Sequence, residues 1–116
     1  MKIVQLFKAL ADETRIRMLN LLKNSELCVC DIEEVLNIQQ SNASRHLNKL
    51  KWAGLIVSEK KSQWVYYRMN DKILLKYPFI QEIISDELLK INICEDDMER
   101  LIKHKASGFS CEKQGT

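Results

Sequence analysis

The chain reads as a mainly helical fold carrying one small β-hairpin (α+β). Three observations predict it. Apolar residues recur at helical spacing in successive segments between Ile3 and Ala53. Two runs of β-formers, Leu55-Ile56-Val57-Ser58-Glu59 and Trp64-Val65-Tyr66-Tyr67-Arg68-Met69, flank the polar stretch Lys60-Lys61-Ser62-Gln63. Residues 72–105 then return to a helical pattern.

Taken in order, Leu6, Phe7, Leu10 and Ala11 predict a first helix from about Ile3 to Leu10. Asp12 suits the cap of a second, in which Ile16, Leu19 and Leu22 form an apolar stripe and Lys23-Asn24-Ser25 ends the run. Leu27-Cys28-Val29 is a short extended piece. A third helix follows with Ile32, Val35 and Leu36 facing inward. Asp31 and Glu33 sit in its first turn, where acidic groups favour the positive end of the helix dipole. Ser41 is expected to cap a fourth helix running to about Ala53, with Ala43, Leu47 and Leu50 on one face and Gly54 as its stop. The hairpin comes next, although its turn lacks an Asn-Gly signal. In the helical remainder, Lys72 to Lys105, Pro78 fits only the first turn of a new helix. One domain over 1–105 and a flexible tail over 106–116, which contains Gly108 and Gly115 and shows no periodicity, are expected.

The bulk numbers exclude several classes. A chain of 116 residues supplies one modest core, for which dimerisation would be a useful addition. Its net charge of +2 means that any basic footprint is local. No apolar stretch approaches the ~20 residues of a membrane span, so no membrane partner is expected. The start lacks an apolar run followed by a small-residue cleavage site. Four cysteines without export features point to reduced thiols and a cytoplasmic location.

The order helix, helix, short strand, helix, helix, hairpin, helix is a winged helix-turn-helix. Three stretches, Ala9-Leu10-Ala11-Asp12-Glu13-Thr14-Arg15-Ile16-Arg17-Met18-Leu19, Gln40-Ser41-Asn42-Ala43-Ser44-Arg45-His46-Leu47 and Lys51-Trp52-Ala53-Gly54-Leu55-Ile56, resemble the ArsR/SmtB family of metal-responsive bacterial repressors. Glu26-Leu27-Cys28-Val29-Cys30-Asp31-Ile32 resembles that family's arsenic-sensing signature. The resemblance spans roughly residues 3 to 75. It implies a dimeric repressor, released from operator DNA by As(III) or Sb(III) as inducer and needing no cofactor to bind DNA. Genes for arsenic efflux or reduction are the targets it implies.

A recognition helix needs a buried stripe and short polar or bidentate side chains on its outer face. Ser41, Asn42, Ser44, Arg45 and His46 fit that description, with Asn48 and Lys49 further along. Arg45 suits guanine, Asn42 suits adenine or a phosphate, and the serines suit phosphate oxygens. Lys60 and Lys61 would set a wing over the duplex backbone. Many relatives carry Gly and Arg at the wing tip, where this chain has Lys61-Ser62-Gln63. Dimerisation is expected through the first and last helices, by Leu6, Phe7 and Leu10 with Ile80, Ile83, Ile84 and Leu88.

Cys28 and Cys30 are the candidate metalloid ligands, since thiolates select soft partners. Residues two apart point ~200° away from each other in a helix but share a face when extended. The pair converges if the helix begins at or after Cys30. Many relatives carry a third cysteine one turn later, where this chain has Glu33 and Glu34. Cys111 and Cys94 are the candidates for a third sulfur. By resemblance, cadmium and lead sensors use an N-terminal cysteine extension, and zinc sensors use Asp and His pairs on the last helix. Here only Met1-Lys2 precedes the first helix, and His104, read as a solvated helix-end residue, has no matching histidine.

Three rivals stand against this reading. Cys28 or Cys30 could form a disulfide with another cysteine and answer to oxidation. Cys94-Glu95-Asp96-Asp97-Met98-Glu99-Arg100 has the cysteine-to-arginine spacing of thiol-dependent phosphatases and arsenate reductases. Its four acidic residues would repel the oxyanion that such a loop must cradle, so an enzyme is not expected. A winged helix can also serve protein contacts alone, which a weak salt dependence of duplex binding would reveal.

Overall fold

The computed structural model describes residues 1–108; the rest of the expected tail, with Cys111, lies outside the described residues. Helices α1 (Lys2–Leu10) and α2 (Glu13–Leu22) meet at Asp12, whose side chain accepts the Arg15 backbone N–H at 3.0 Å, as its capping role predicts. Strand β1 (Leu27–Cys28) runs directly into α3 (Val29–Leu36). Asn37, in the left-handed region at φ 54°, ends α3 and turns the chain into α4 (Gln40–Trp52). The hairpin is β2 (Ile56–Lys61) and β3 (Trp64–Met69), followed by α5 (Asp71–Lys76), α6 (Pro78–Glu82) and α7 (Asn92–Ala106). No helix among the described residues is long and apolar enough to cross a membrane.

Several elements depart from the sequence reading. Helix α4 begins two residues early, with Gln39 at the cap and no side-chain bond there, so Ser41 lies inside the first turn instead of capping it. Strand β2 continues through Lys60 and Lys61, which leaves Ser62-Gln63 as a two-residue turn with Ser62 at φ 60°. The region after the hairpin is broken into pieces. Pro78 opens α6 as expected, but beyond Glu82 the chain widens into a π turn, Ile83–Glu87, and then tightens into a 3₁₀ turn, Leu88–Lys90. Ser85 Oγ donates to Gln81 O at 2.6 Å there, competing with the regular helical ladder.

The short extended piece proves to be part of the wing. The sheet order is β1-β3-β2, all antiparallel, with Leu27 opposite Tyr67 and Cys28 opposite Tyr66. The cysteine strand is therefore hydrogen-bonded to the inner strand of the hairpin.

Leu6, Met18, Leu19, Ile32, Leu47 and Leu50 are wholly buried at the centre of one core. Helix α7 is pinned across α2 and α3 by a charged network. Arg17 donates from Nε and Nη2 to the fully buried Asp97 at 2.7 and 2.9 Å. Arg100 pairs with the same carboxylate and donates from Nε to Val35 O at 3.1 Å.

The expected dimer stripe is corrected by this core. Leu6, Ile80, Ile84 and Leu88 are 0 to 3% exposed within one protomer, and Leu10 and Ile83 are half-buried against it. A domain this small needs those side chains to close its own interior. Of the expected set only Phe7 is exposed, at 53%, stacked on Phe79 with ring centroids 5.5 Å apart. Val4, one turn away, extends the uncovered apolar face of α1.

Candidate nucleic-acid interface and thiol site

Helix α4 buries Ala43, His46, Leu47 and Leu50 and turns the opposite face outward. Ser41, Arg45, Asn48 and Lys49 are exposed, and Asn42 and Ser44 are half-buried. Arg45 Nη2 donates to Asn42 Oδ1 at 2.6 Å, so the guanidinium and the amide are held together over the first turns. Gly54 ends the element at φ +84°. A Cβ there would lie 2.8 Å from Lys2 Nζ, which itself donates to Ala53 O at 2.7 Å. The start of α1 is thus tied to the end of α4.

His46 is not on the outer face. It is 4% exposed, with Nδ1 3.2 Å from Arg15 Nη1 and 3.8 Å from Asp12 Oδ1, while Nε2 lies 3.3 Å from Arg45 Nη2. Burial pulls its pKa below the ordinary 6.5, and Arg45, Arg15 and Lys49 push the same way against Asp12. Asp12 in turn is held below 3.8: burial raises it, but the Arg15 N–H and the nearby His46 and Arg15 prevail. Sequence spacing carried the signal, because positions 43, 46, 47 and 50 share one helical face.

The wing lysines differ. Lys60 is exposed and makes no ion pair among the described residues, whereas Lys61 pairs with Glu26 and stands 5.3 Å over the Tyr66 ring. Glu26 lies just before β1, so its grip on the wing was invisible until β1 joined the sheet.

At the thiol site Cys28 is 2% exposed and caps α3 in extended backbone, φ −88° and ψ 168°. Because α3 starts at Val29, Cys30 is its second residue, not the boundary required by the extended-pair argument. A cap side chain folds over the N–H groups of the first turn, which brings Cys28 toward the turn containing Cys30 by another route. Asp31 organises the site. Its Oδ2 accepts the Cys28 N–H at 3.0 Å and lies 3.3 Å from Cys28 Sγ, while Oδ1 is 2.8 Å from His104 Nε2. His104, read from sequence as solvated, is 9% exposed and reaches the thiol turn from α7. Nothing local in the sequence announces that contact. Both Cys28 and Cys30 are disulfide sulfurs in the structure, not the reduced thiols expected.

Cys94 is carried elsewhere. It lies ten residues before His104 on the same helix, ~15 Å along its axis, and its carbonyl accepts from Asn20 Nδ2 at 2.9 Å. Burial raises its thiol pKa, with Asp97 adding to the effect. Cys94 to Arg100 is continuous helix, not an oxyanion loop. Among the described residues no three His, Cys, Asp or Glu side chains gather as a metal would require, and Cys111 lies outside them.

The fold, its outward polar α4 and its hairpin define a winged helix-turn-helix transcriptional regulator. A model of the arsR family of bacterial regulatory proteins matches residues 12–58. The chain is 46% identical over 109 residues to the arsenical resistance operon repressor of Escherichia coli (strain K12), covering 93% of this chain and 87% of that protein. It is 46% identical over 68 residues to the arsenic resistance transcriptional regulator ArsR1 of Pseudomonas putida, and there the match covers 58% of this chain and only 53% of that relative's length. The homodimeric winged helix-turn-helix DNA-binding domain of Mb0332 from Mycobacterium bovis superposes with a TM-score of 0.63 at 25% identity, covering 78% of this chain and 85% of that one. The chain belongs to the ArsR family, a family of regulators and not of enzymes.

Proposed function

We propose that the chain is a homodimeric repressor that binds operator DNA through α4 and the wing and leaves it when Cys28 and Cys30 capture arsenite or antimonite. One observation carries the reading: the cysteine turn is shared by the two elements that would grip DNA. Cys28 ends the strand paired with β3 of the wing, and it caps α3, which packs against α4. The relatives named for arsenical resistance support the choice of ligand.

Arsenite is a substrate of the dithiol. Arsenite, as As(OH)₃, exchanges two hydroxyls for two sulfurs and releases two waters. Arsenic stays trivalent, and its third position keeps hydroxide or takes a further donor. Capture requires both cysteines as thiols, a form supplied by an external thiol reductant that takes up the oxidising equivalents as its own disulfide. Capture then competes with the cap, because the sulfur that closes over the first turn of α3 is the one the ligand takes. Rearranging that turn displaces α3 against α4 and Cys28 against Tyr66, so both contact surfaces move. A full switch between bound and released populations needs a differential of about 5.5 kcal/mol.

In the dimer, Val4 and Phe7 of α1 supply the uncovered apolar face, and two recognition helices meet a palindromic operator about one helical turn apart. The test is release: Cys28→Ser and Cys30→Ser bind the operator like wild type and stay bound in arsenite. A variant that is released normally rejects the site.

The disulfide sulfurs favour a second reading, a thiol redox regulator of the same fold. Gel shifts of the reduced protein with peroxide and with arsenite separate the two. Release by peroxide alone selects the redox reading.

A further inference from the structure

Helix α1 runs antiparallel to α4. Lys2 at its start bonds Ala53 at the end of α4, and Arg15 just past its end reaches both Ala9 O, at 2.7 Å, and His46 in the middle of α4. Between the two helices lies a cleft of about 460 Å³, walled by Gln5 and Lys8 of α1 and by Lys49 and Trp52 of α4, with Arg15 also lining it. We propose that this cleft seats a phosphate of the operator backbone, which extends the DNA footprint onto helix α1. The inference rests on the DNA-binding reading above.

Charge and continuity argue for that occupant. No residue lining the cleft is acidic. Lys8 and Lys49 are exposed and make no ion pair among the described residues. Arg15 differs, because its guanidinium donates to the carbonyls of Ala9 and Lys8, faces His46 at 3.2 Å and has Asp12 at 3.7 Å. It is a fixed part of the structure, and the two lysines are the mobile cations left to meet an anion. Arg45, Lys49 and Trp52 fall at i, i+4 and i+7, so the α4 wall of the cleft continues the face that carries Arg45. Gln5 and Lys8, at i and i+3, place a second polar and cationic row opposite it. Trp52 is 84% exposed, the most uncovered aromatic side chain of α4, and its flat ring suits the sugar and phosphate edge of a duplex.

Phosphate contacts position a protein without reading sequence, which fixes the expected signature. Lys8→Gln and Lys49→Gln keep the backbone carbonyls that bind Arg15 and cap α4. Each should weaken binding to operator and to random duplex by the same factor. Each should also lower the slope of log affinity against log salt by about 0.9 per phosphate, about 1.8 for a dimer substituted twice. In a Trp64→Phe background, the emission of Trp52 should shift when duplex is added. Unchanged slopes overturn the proposal whatever the Trp52 spectrum does. So does a loss of dimer in DNA-free sedimentation, which would give the cleft to a second copy of the chain. Wild type that fails to bind duplex sinks the underlying reading; wild type that binds while both lysine variants keep its slope sinks only this inference.

Discussion

Removing the Asp31 carboxylate is the perturbation that asks most of the structure. In Asp31→Ala the Cys28 N–H loses its 3.0 Å acceptor, the α3 N-terminus loses its first-turn anion, and His104 loses its 2.8 Å partner. The cap bond contributes about 1 kcal/mol and the dipole term about 0.5 kcal/mol. The bond to His104 joins two largely buried side chains and is charge-assisted, so about 1.5 kcal/mol is reasonable. Together they predict a loss of about 3 kcal/mol. With an unfolding entropy near 2.1 cal/mol/K per residue over 116 residues, Tm falls by about 12 °C. The assay is urea and thermal unfolding at fixed protein concentration, because dimerisation makes both concentration-dependent. His104→Ala and the double variant complete a cycle, and the coupling between the two positions should exceed about 1 kcal/mol. Simple additivity, with Asp31→Ala costing under about 0.5 kcal/mol, refutes the view that Asp31 fastens the thiol turn to α7.

His46 sets an acid limit. Its folded pKa lies below 6.5, so the unfolded chain takes the proton first and stability present above 6.5 is lost as the pH falls toward the folded value. His46→Gln should flatten the fall of the urea midpoint as the pH drops below about 6.5, and an unchanged pH dependence contradicts the buried placement. Asp12 acts in a separate window, below 3.8. Gly54→Ala places a Cβ 2.8 Å from Lys2 Nζ at a positive φ, and should cost about 1 to 2 kcal/mol in thermal unfolding, part of it recovered by Lys2→Ala. Arg45→Ala should lose about 1 to 3 kcal/mol of discrimination at one base pair per half-site, measured with a set of singly substituted operators.

The local grammar of the chain was legible. Asp12, the 43–47–50 stripe, Gly54 and the alternating β-formers each announce themselves by propensity or spacing, and they place α2, α4 and the hairpin within a residue or two. The pairing of β1 with β3 was not legible, because a two-residue strand has no period to read; it decides that Cys28 belongs to the wing as well as to α3. The same holds for His104 and Asp31, which lie 73 residues apart and meet only once α7 crosses the core. His46 was misread because its polarity was weighed above its place on the buried 43–47–50 face. The dimer stripe was misread because apolar side chains at helical spacing say that a face is covered, but not whether the cover is the protomer itself or a partner. Leu6, Ile80, Ile84 and Leu88 are covered from within.

Thermodynamic linkage offers the most direct examination of the claim that the sulfur pair and the DNA surface are coupled, because the coupling must be reciprocal. Arsenite affinity of the reduced dimer is measured by competition with a dithiol chelator, once alone and once saturated with operator duplex. The account predicts that bound operator weakens arsenite binding by the same factor by which arsenite weakens operator binding. Equal arsenite affinity with and without DNA would show that the cysteine turn and the recognition surface are independent.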